Sequence, residues 1–205
     1  MYYVIYTGAG KEDKTEEYIR RMVPKNLYDT CFHPVRKRNI KLGGKWHICF
    51  DCLIPGYIFL ESKVIEDFYS EIRKNPAHLK ILGKNTGDDS LSFYPLSDVE
   101  IEWLIRLTNF VPEKEENSNE EPREAGLETR EAPALEKKEI TPIAEISEVG
   151  FDENDKVVIL SGPLKNLEGS IKKINLHKRI AEVEIDFMGR KTVVFMGIEI
   201  LGNIH

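Results

Sequence analysis

Apolar and polar positions follow different rhythms in different parts of this chain. Tyr2–Thr7 is an apolar run rich in aromatic and β-branched residues, which predicts a buried strand. After the turn residues Gly8-Ala9-Gly10, Thr15, Tyr18, Ile19 and Met22 recur at helical spacing with charges between them. That pattern predicts a helix over Lys11–Met22, stopped by Pro24. Asp29–Ile40 predicts a strand that passes into the basic ribbon Arg36-Lys37-Arg38. Gly43-Gly44 predicts a hairpin turn, with Trp46–Leu53 as the returning strand. Ile54-Pro55-Gly56 marks another turn, and Tyr57-Ile58-Phe59-Leu60 a buried strand. Val64, Phe68 and Ile72 form one stripe of a second helix over Val64–Arg73, ended by Asn75-Pro76. Leu79–Leu82 predicts a short strand. Ser97–Thr108 predicts a third helix, because Ser97 followed by Glu100 is a capping box.

The rhythm stops at Pro112. From there to Gly150 the chain is Glu-rich, lacks aromatics and keeps no amphipathic period. Such a stretch buries too little apolar surface to offset chain ordering, so it predicts an extended linker. Beyond it, short apolar runs return. Val157, Ile159, Ile171, Ile174, Val183, Ile185, Phe187, Val193 and Phe195 are broken by Gly162-Pro163, Gly169, Asn175 and Gly189. Short strands joined by tight turns predict a small β-barrel. The expected organisation is an α/β domain over residues 1–112, an acidic linker over 113–150 and a barrel over 151–205. In the first domain one sheet would have helices packed on it.

Charge sharpens this division. The net charge of −6 is confined to the middle segment: residues 1–112 carry net +1, residues 113–150 net −7 and residues 151–205 net 0. Within residues 156–191 the balance is +4. The local field, not the total, governs association with nucleic acid. No apolar run approaches the roughly 20 residues that span a bilayer. The first residues lack a basic segment followed by an apolar one, so no membrane partner is expected. Three cysteines make a disulfide framework a poor reading, and the expectation is a cytoplasmic protein. There is no phosphate-loop signature and no nucleophile elbow. The carboxylates cluster in the linker, where nothing holds them in geometry. No catalytic set and no cofactor is expected.

Tyr2-Tyr3-Val4-Ile5-Tyr6, Ile54-Pro55-Gly56-Tyr57-Ile58-Phe59, and Lys156-Val157-Val158-Ile159 with Ser161-Gly162-Pro163-Leu164, Leu167-Glu168-Gly169 and Gly189-Arg190 resemble the NusG family of transcription elongation factors. The resemblance covers all but the linker. It implies a ferredoxin-like α/β sandwich (the NGN domain), a linker and an SH3-like KOW barrel in a bacterial, non-enzymatic protein. The long linker and the basic, aromatic ribbon over Arg36–Phe50 look like specialised paralogues of the LoaP type, which act in antitermination. A general factor coupling polymerase to the ribosome or to Rho is the alternative within the family. A ribosome-associated RNA-binding protein is the alternative outside it.

The resemblance also implies partners. Ile54, Pro55, Tyr57 and Phe59 would face the clamp helices of RNA polymerase. Alternation along this strand puts Tyr57 and Phe59 on one face and Ile58 and Leu60 on the other, so one pair is available for an interface. Arg36, Lys37, Arg38, Lys41, Lys45 and Trp46 would approach the upstream or non-template DNA. Basic residues with one aromatic suit phosphate contact and stacking on an unpaired base. In the barrel, Lys165, Asn166, Lys172, Lys173, Asn175, His177, Lys178, Arg179, Arg190 and Lys191 would form a cationic patch for a nascent leader RNA hairpin, if their turns gather at one end. Leu164, Leu167 and Met188 would instead serve a protein partner such as ribosomal protein S10 or Rho. The protein is expected to be a monomer. Cys31, His33, His47, Cys49 and Cys52 have the residue types of a zinc site. They are read as small buried side chains, because Cys49 and Cys52 would point to opposite faces of a strand.

Overall fold

The N-terminal apolar run forms strand β1 (Tyr2–Tyr6), and the helical spacing after it forms α1 (Glu12–Met22). The predicted strand over Asp29–Ile40 is two strands, β2 (Thr30–Phe32) and β3 (Val35–Leu42). The break falls at Pro34, which has no N–H to give a ladder. β3 returns through Gly43-Gly44, both with positive φ (57° and 81°), into β4 (Lys45–Cys52). Then come β5 (Tyr57–Glu61), α2 (Ile65–Ile72), β6 (Lys80–Ile81), β7 (Gly83–Asn85), β8 (Leu91–Phe93) and α3 (Asp98–Leu107). The β7–β8 pair is too short to show a period in the sequence. This is a computed structural model of the chain, and it describes residues 1–74, 79–85, 91–112 and 141–203.

The central sheet runs β2-β5-β1-β6, antiparallel throughout. β5 separates two cores, as its alternation requires. Ile58 and Leu60 join Tyr3, Ile5, Ile19 and Phe68 under α1 and α2. Phe59 joins Tyr2, Val4, Phe32, Trp103 and Leu104 on the opposite face, covered by α3. The Ser97–Glu100 capping box that starts α3 is formed, with the Ser97 N–H and hydroxyl both donating to Glu100 Oε2.

The C-terminal part contains β9 (Ile143–Ala144), β10 (Ser147–Phe151), β11 (Val157–Ser161), β12 (Ile171–Asn175), β13 (Ile180–Phe187) and β14 (Arg190–Asn203). The barrel order is β11-β10-β14-β13-β12. Along β13 burial alternates without a break, the signature of a half-buried strand. Strand β9 and all but the last residue of β10 fall within the stretch read as linker. Ala144, Ser147 and Val149 are fully buried, but acidic neighbours hide so few apolar positions from a composition-based reading. β9 leaves the barrel and pairs in parallel with β3, so the α/β domain takes a strand from the far side of the chain. Residues 113–140, the bulk of the predicted linker, lie outside the described residues. Among the described residues no helix is long and apolar enough to cross a membrane.

Candidate functional site

The outer face of β5 forms an aromatic surface. Phe32 stacks on Phe59 at 5.6 Å between ring centroids, and Trp103 meets Phe59 edge-on at 6.3 Å. Tyr57 lies 5.5 Å from Tyr6. The surface does not end in solvent. Phe187, the last residue of β13, inserts from the barrel, 5.2 Å from Tyr57 and 6.1 Å from both Phe59 and Trp103. One apolar core therefore runs through both domains. Ring pairs in such geometry add roughly 0.5–1.5 kcal/mol each beyond the area they bury. Phe187 is aimed there by the turn after it, where Met188 and Gly189 both adopt positive φ. The Met188 N–H donates to Glu100 Oε1. Glu100 thus caps α3 with one oxygen and holds the barrel with the other. Next to the aromatic face, Ile54 is buried, Pro55 is exposed, and the Gly56 N–H donates to Glu12 Oε1 at 2.6 Å.

The β3–β4 hairpin carries the basic ribbon, and its register divides the predicted residues between two faces. Lys37, Lys41 and Trp46 share one face with Ile48 and Phe50. Arg36, Arg38 and Lys45 share the other with Asp51. Arg38 and Arg36 are ion-paired to Asp51. Burial pushes the Asp51 carboxyl up, but the two guanidinium groups outweigh it and hold it below the ordinary range. Arg36 also donates to the Phe195 carbonyl at 2.8 Å, and Lys37 is held by Glu145 at 2.7 Å. These three cations are spent on internal contacts, two of them with the barrel side of the chain. Lys41 and Lys45 have no carboxylate partner among the described residues. Trp46 is flanked by Lys41 and by the barrel's Arg179, whose guanidinium lies 4.2 Å from the ring centroid.

The barrel cations do not gather at one end. Lys172, Lys173, Asn175, His177, Lys178 and Arg179 lie on β12 and the turn into β13. Arg190 and Lys191 lie at the opposite end of β13, about 23 Å away along an extended strand. Within the first group Asn175 Oδ1 accepts from the Lys178 N–H, closing the turn, and Lys172 is paired to Glu184. Arg179 also meets Glu199, and Lys191 is paired to Asp186. Lys165 is exposed on the short turn after β11, where the Asn166 side chain lies outside the described residues. Lys165, Lys173, Lys178 and Arg190 have no carboxylate partner among the described residues.

Comparison with known proteins decides what this arrangement belongs to. The sequence profile described as "Transcription termination factor nusG" matches residues 1–105, and the KOW motif profile matches residues 153–186. The chain belongs to the NusG family. Its relatives include the "Transcription termination/antitermination protein NusG" of Halalkalibacterium halodurans, 22% identical over 197 residues, covering 94% of this chain and 92% of that one. The protein of the same description from Bacillus subtilis is 23% identical over 198 residues, with the same coverage of each. A solved structure titled "Domain interaction in Thermotoga maritima NusG" aligns over 96% of this chain and 92% of that chain, with 22% identity and a TM-score of 0.47.

In this NusG-family chain the remaining predicted residues lie close to the domain boundary or below the surface. Leu164 is fully buried, Leu167 half-buried, and Met188 half-buried beside α3. Among the described residues no three His, Cys, Asp or Glu side chains are grouped as metal ligands would be. Cys31 is buried in the core under α1 and α2, and His33 is bonded through Nδ1 to Glu16 at 2.5 Å. Burial pushes the Cys52 thiol up to about 12, which leaves it protonated and a poor ligand or nucleophile. Sequence reasoning missed Phe187, Trp103, Glu100, Glu145 and Gly197 as boundary residues. Their pattern marks them as core, cap or strand residues, and nothing in a single strand's alternation says which neighbour fills the other side.

Proposed function

We propose that this protein is a transcription elongation and antitermination factor that binds RNA polymerase through the β5 face and a second partner through the barrel. The observation that carries this reading is the aromatic surface of Tyr57, Phe59 and Trp103, closed on its open side by Phe187. Of the residues expected to face polymerase, Tyr57 and Phe59 belong to this surface, and Ile54 and Pro55 lie beside it. An apolar surface covered by a separate domain is available to another protein once that domain leaves. The clamp helices are the partner that the family resemblance suggests. In the closed arrangement the barrel and the polymerase compete for one surface, so binding requires the domains to part.

The specialised antiterminator reading is supported by the hairpin. Lys41, Lys45 and Trp46 are its components suited to unpaired DNA, while Arg36, Arg38 and Lys37 hold the hairpin and barrel in place. For the barrel, the turn Asn175–Arg179 is the part best suited to a leader RNA hairpin, because it concentrates Lys178, Arg179 and His177 within one turn. Arg190 and Lys191 act separately from it. A protein partner such as ribosomal protein S10 or Rho would need Leu167 and Met188, both half-buried, Met188 in the turn whose backbone amide donates to Glu100. The decisive experiment is transcription across an intrinsic terminator with purified bacterial RNA polymerase. The reading predicts increased readthrough with the protein and loss of the effect in Tyr57→Ala. Identical readthrough with and without the protein would sink it.

A further inference from the structure

Glu100 and Trp103 stand one turn apart on α3, so they share a face of the helix, and both reach the barrel. The two polar groups on this face fare differently. Glu100 has a partner for each oxygen, Ser97 on one and the Met188 N–H on the other. Trp103 is 6% exposed, and its buried indole N–H has no hydrogen-bond partner among the described residues. Its ring neighbours Phe59 and Phe187 offer no acceptor stronger than a π face. Buried donors in folded proteins are nearly always paired, because a donor that leaves water and finds no acceptor destabilises the state that holds it. A phenylalanine would fill the same apolar seam without that cost. The closed chain therefore carries a donor that closure does not use.

We propose that the Trp103 indole N–H is a recognition donor for RNA polymerase: once the barrel leaves, it donates to an oxygen acceptor on the polymerase, beside the apolar contacts of Tyr57 and Phe59. The proposal rests on the reading of the β5 face given above and adds a polar contact to it. Trp103 borders that face through Phe59 and is covered by Phe187, so the departure that bares Tyr57 and Phe59 bares the indole with them. Tryptophan suits the role, because it joins a large apolar body to a single donor and is enriched among the residues that dominate interface energy.

The same donor biases the competition between barrel and polymerase. Both occupants cover the same rings, so apolar burial alone separates them poorly. With the barrel in place the indole N–H is unpaired; with the polymerase in place it is paired. Preference for one occupant over another is a difference of this kind, built from a group that one satisfies and the other leaves bare. Glu100 contributes no such bias against the barrel, because the Met188 N–H already meets it.

The test replaces Trp103 in the full chain by its benzothiophene analogue, which keeps the shape of the ring and lacks the N–H. Hydrogen exchange at the Met188 amide, whose bond to Glu100 breaks when the domains part, reports the opening equilibrium. Fluorescence anisotropy reports affinity for purified bacterial RNA polymerase. The analogue removes the unpaired donor from the closed chain, so exchange at Met188 should slow roughly fivefold. Affinity should fall by that factor and by about a further tenfold, for the bond lost to the polymerase. Tighter closure by itself lowers affinity by no more than exchange slows. An equal fall in the two therefore overturns the proposal, as does an unchanged affinity. Exchange that does not slow overturns it as well, since the donor would already be satisfied in the closed chain. Tyr57→Ala separates this contact from the reading beneath it. If Tyr57→Ala abolishes binding while the analogue costs only its closure factor, the β5 face stands and the Trp103 contact falls. If Tyr57→Ala leaves binding intact, the β5 face falls and the proposal falls with it.

Discussion

Single residues at the domain boundary and in the acidic cluster under β2 hold the clearest predictions. Gly197 sits in β14 where any side chain would collide with β3: an added Cβ would lie 2.9 Å from Arg38 Cα as well as against the Lys37 carbonyl. Both obstacles are backbone, so neither can swing aside. Gly197→Ala should therefore force the barrel off the α/β domain at a cost of about 1–3 kcal/mol. Small-angle scattering would report this as a larger radius of gyration with secondary structure retained. His33 makes a different prediction. Burial alone would lower its pKa, but the hydrogen bond and charge of Glu16, with Asp13 and Glu12 beyond, outweigh burial and raise it. A group whose folded pKa is raised stabilises the fold fully below its unfolded value, about 6.5. That contribution is lost as pH rises through the folded value. The melting temperature should fall as pH is raised from about 6 to 9, and Glu16→Gln should flatten the slope. Glu16→Gln should also cost about 1–3 kcal/mol below pH 6.5, because it weakens a buried bond to a charged group.

Among the elements, α3 carries more than its sequence announces. The capping box is legible in Ser97-x-x-Glu100 because its chemistry is local. The second duty of Glu100, accepting the Met188 N–H from 88 residues away, is not local and leaves no mark in the helix. Glu100→Ala should lose the cap, about 1 kcal/mol. It should also increase hydrogen exchange at the Met188 amide far more than at other barrel amides, and a uniform increase would argue against the second duty. The hairpin shows the same limit. Its turn and its strands follow from Gly43-Gly44 and alternation. That Arg36 and Arg38 serve Asp51, while Lys41 and Lys45 have no carboxylate partner among the described residues, depends on register and on which side chain stands opposite.

At the scale of the whole molecule the chain is a closed pair of domains, joined by Phe187 at one end and by β9, Glu145 and Arg179 at the other. Phe187→Asp should open it, because a carboxylate cannot remain in an aromatic core without a partner. Binding of the full-length variant to RNA polymerase, measured by fluorescence anisotropy, is expected to tighten several-fold over the wild type. Unchanged or weaker binding by a folded variant would argue that the β5 face is not the docking surface. The sequence by itself determined the three helices, the longer strands, the two faces of β5, the barrel and the family, because periodicity, turn residues and caps act over a few residues. It did not determine that strands occupy residues 143–151, that the barrel cations divide between two ends of β13, or that one core crosses both domains. Those outcomes rest on contacts between residues far apart in the chain. An alternating strand states that one of its faces is buried; only the tertiary structure decided that Phe187 fills the aromatic face of the other domain.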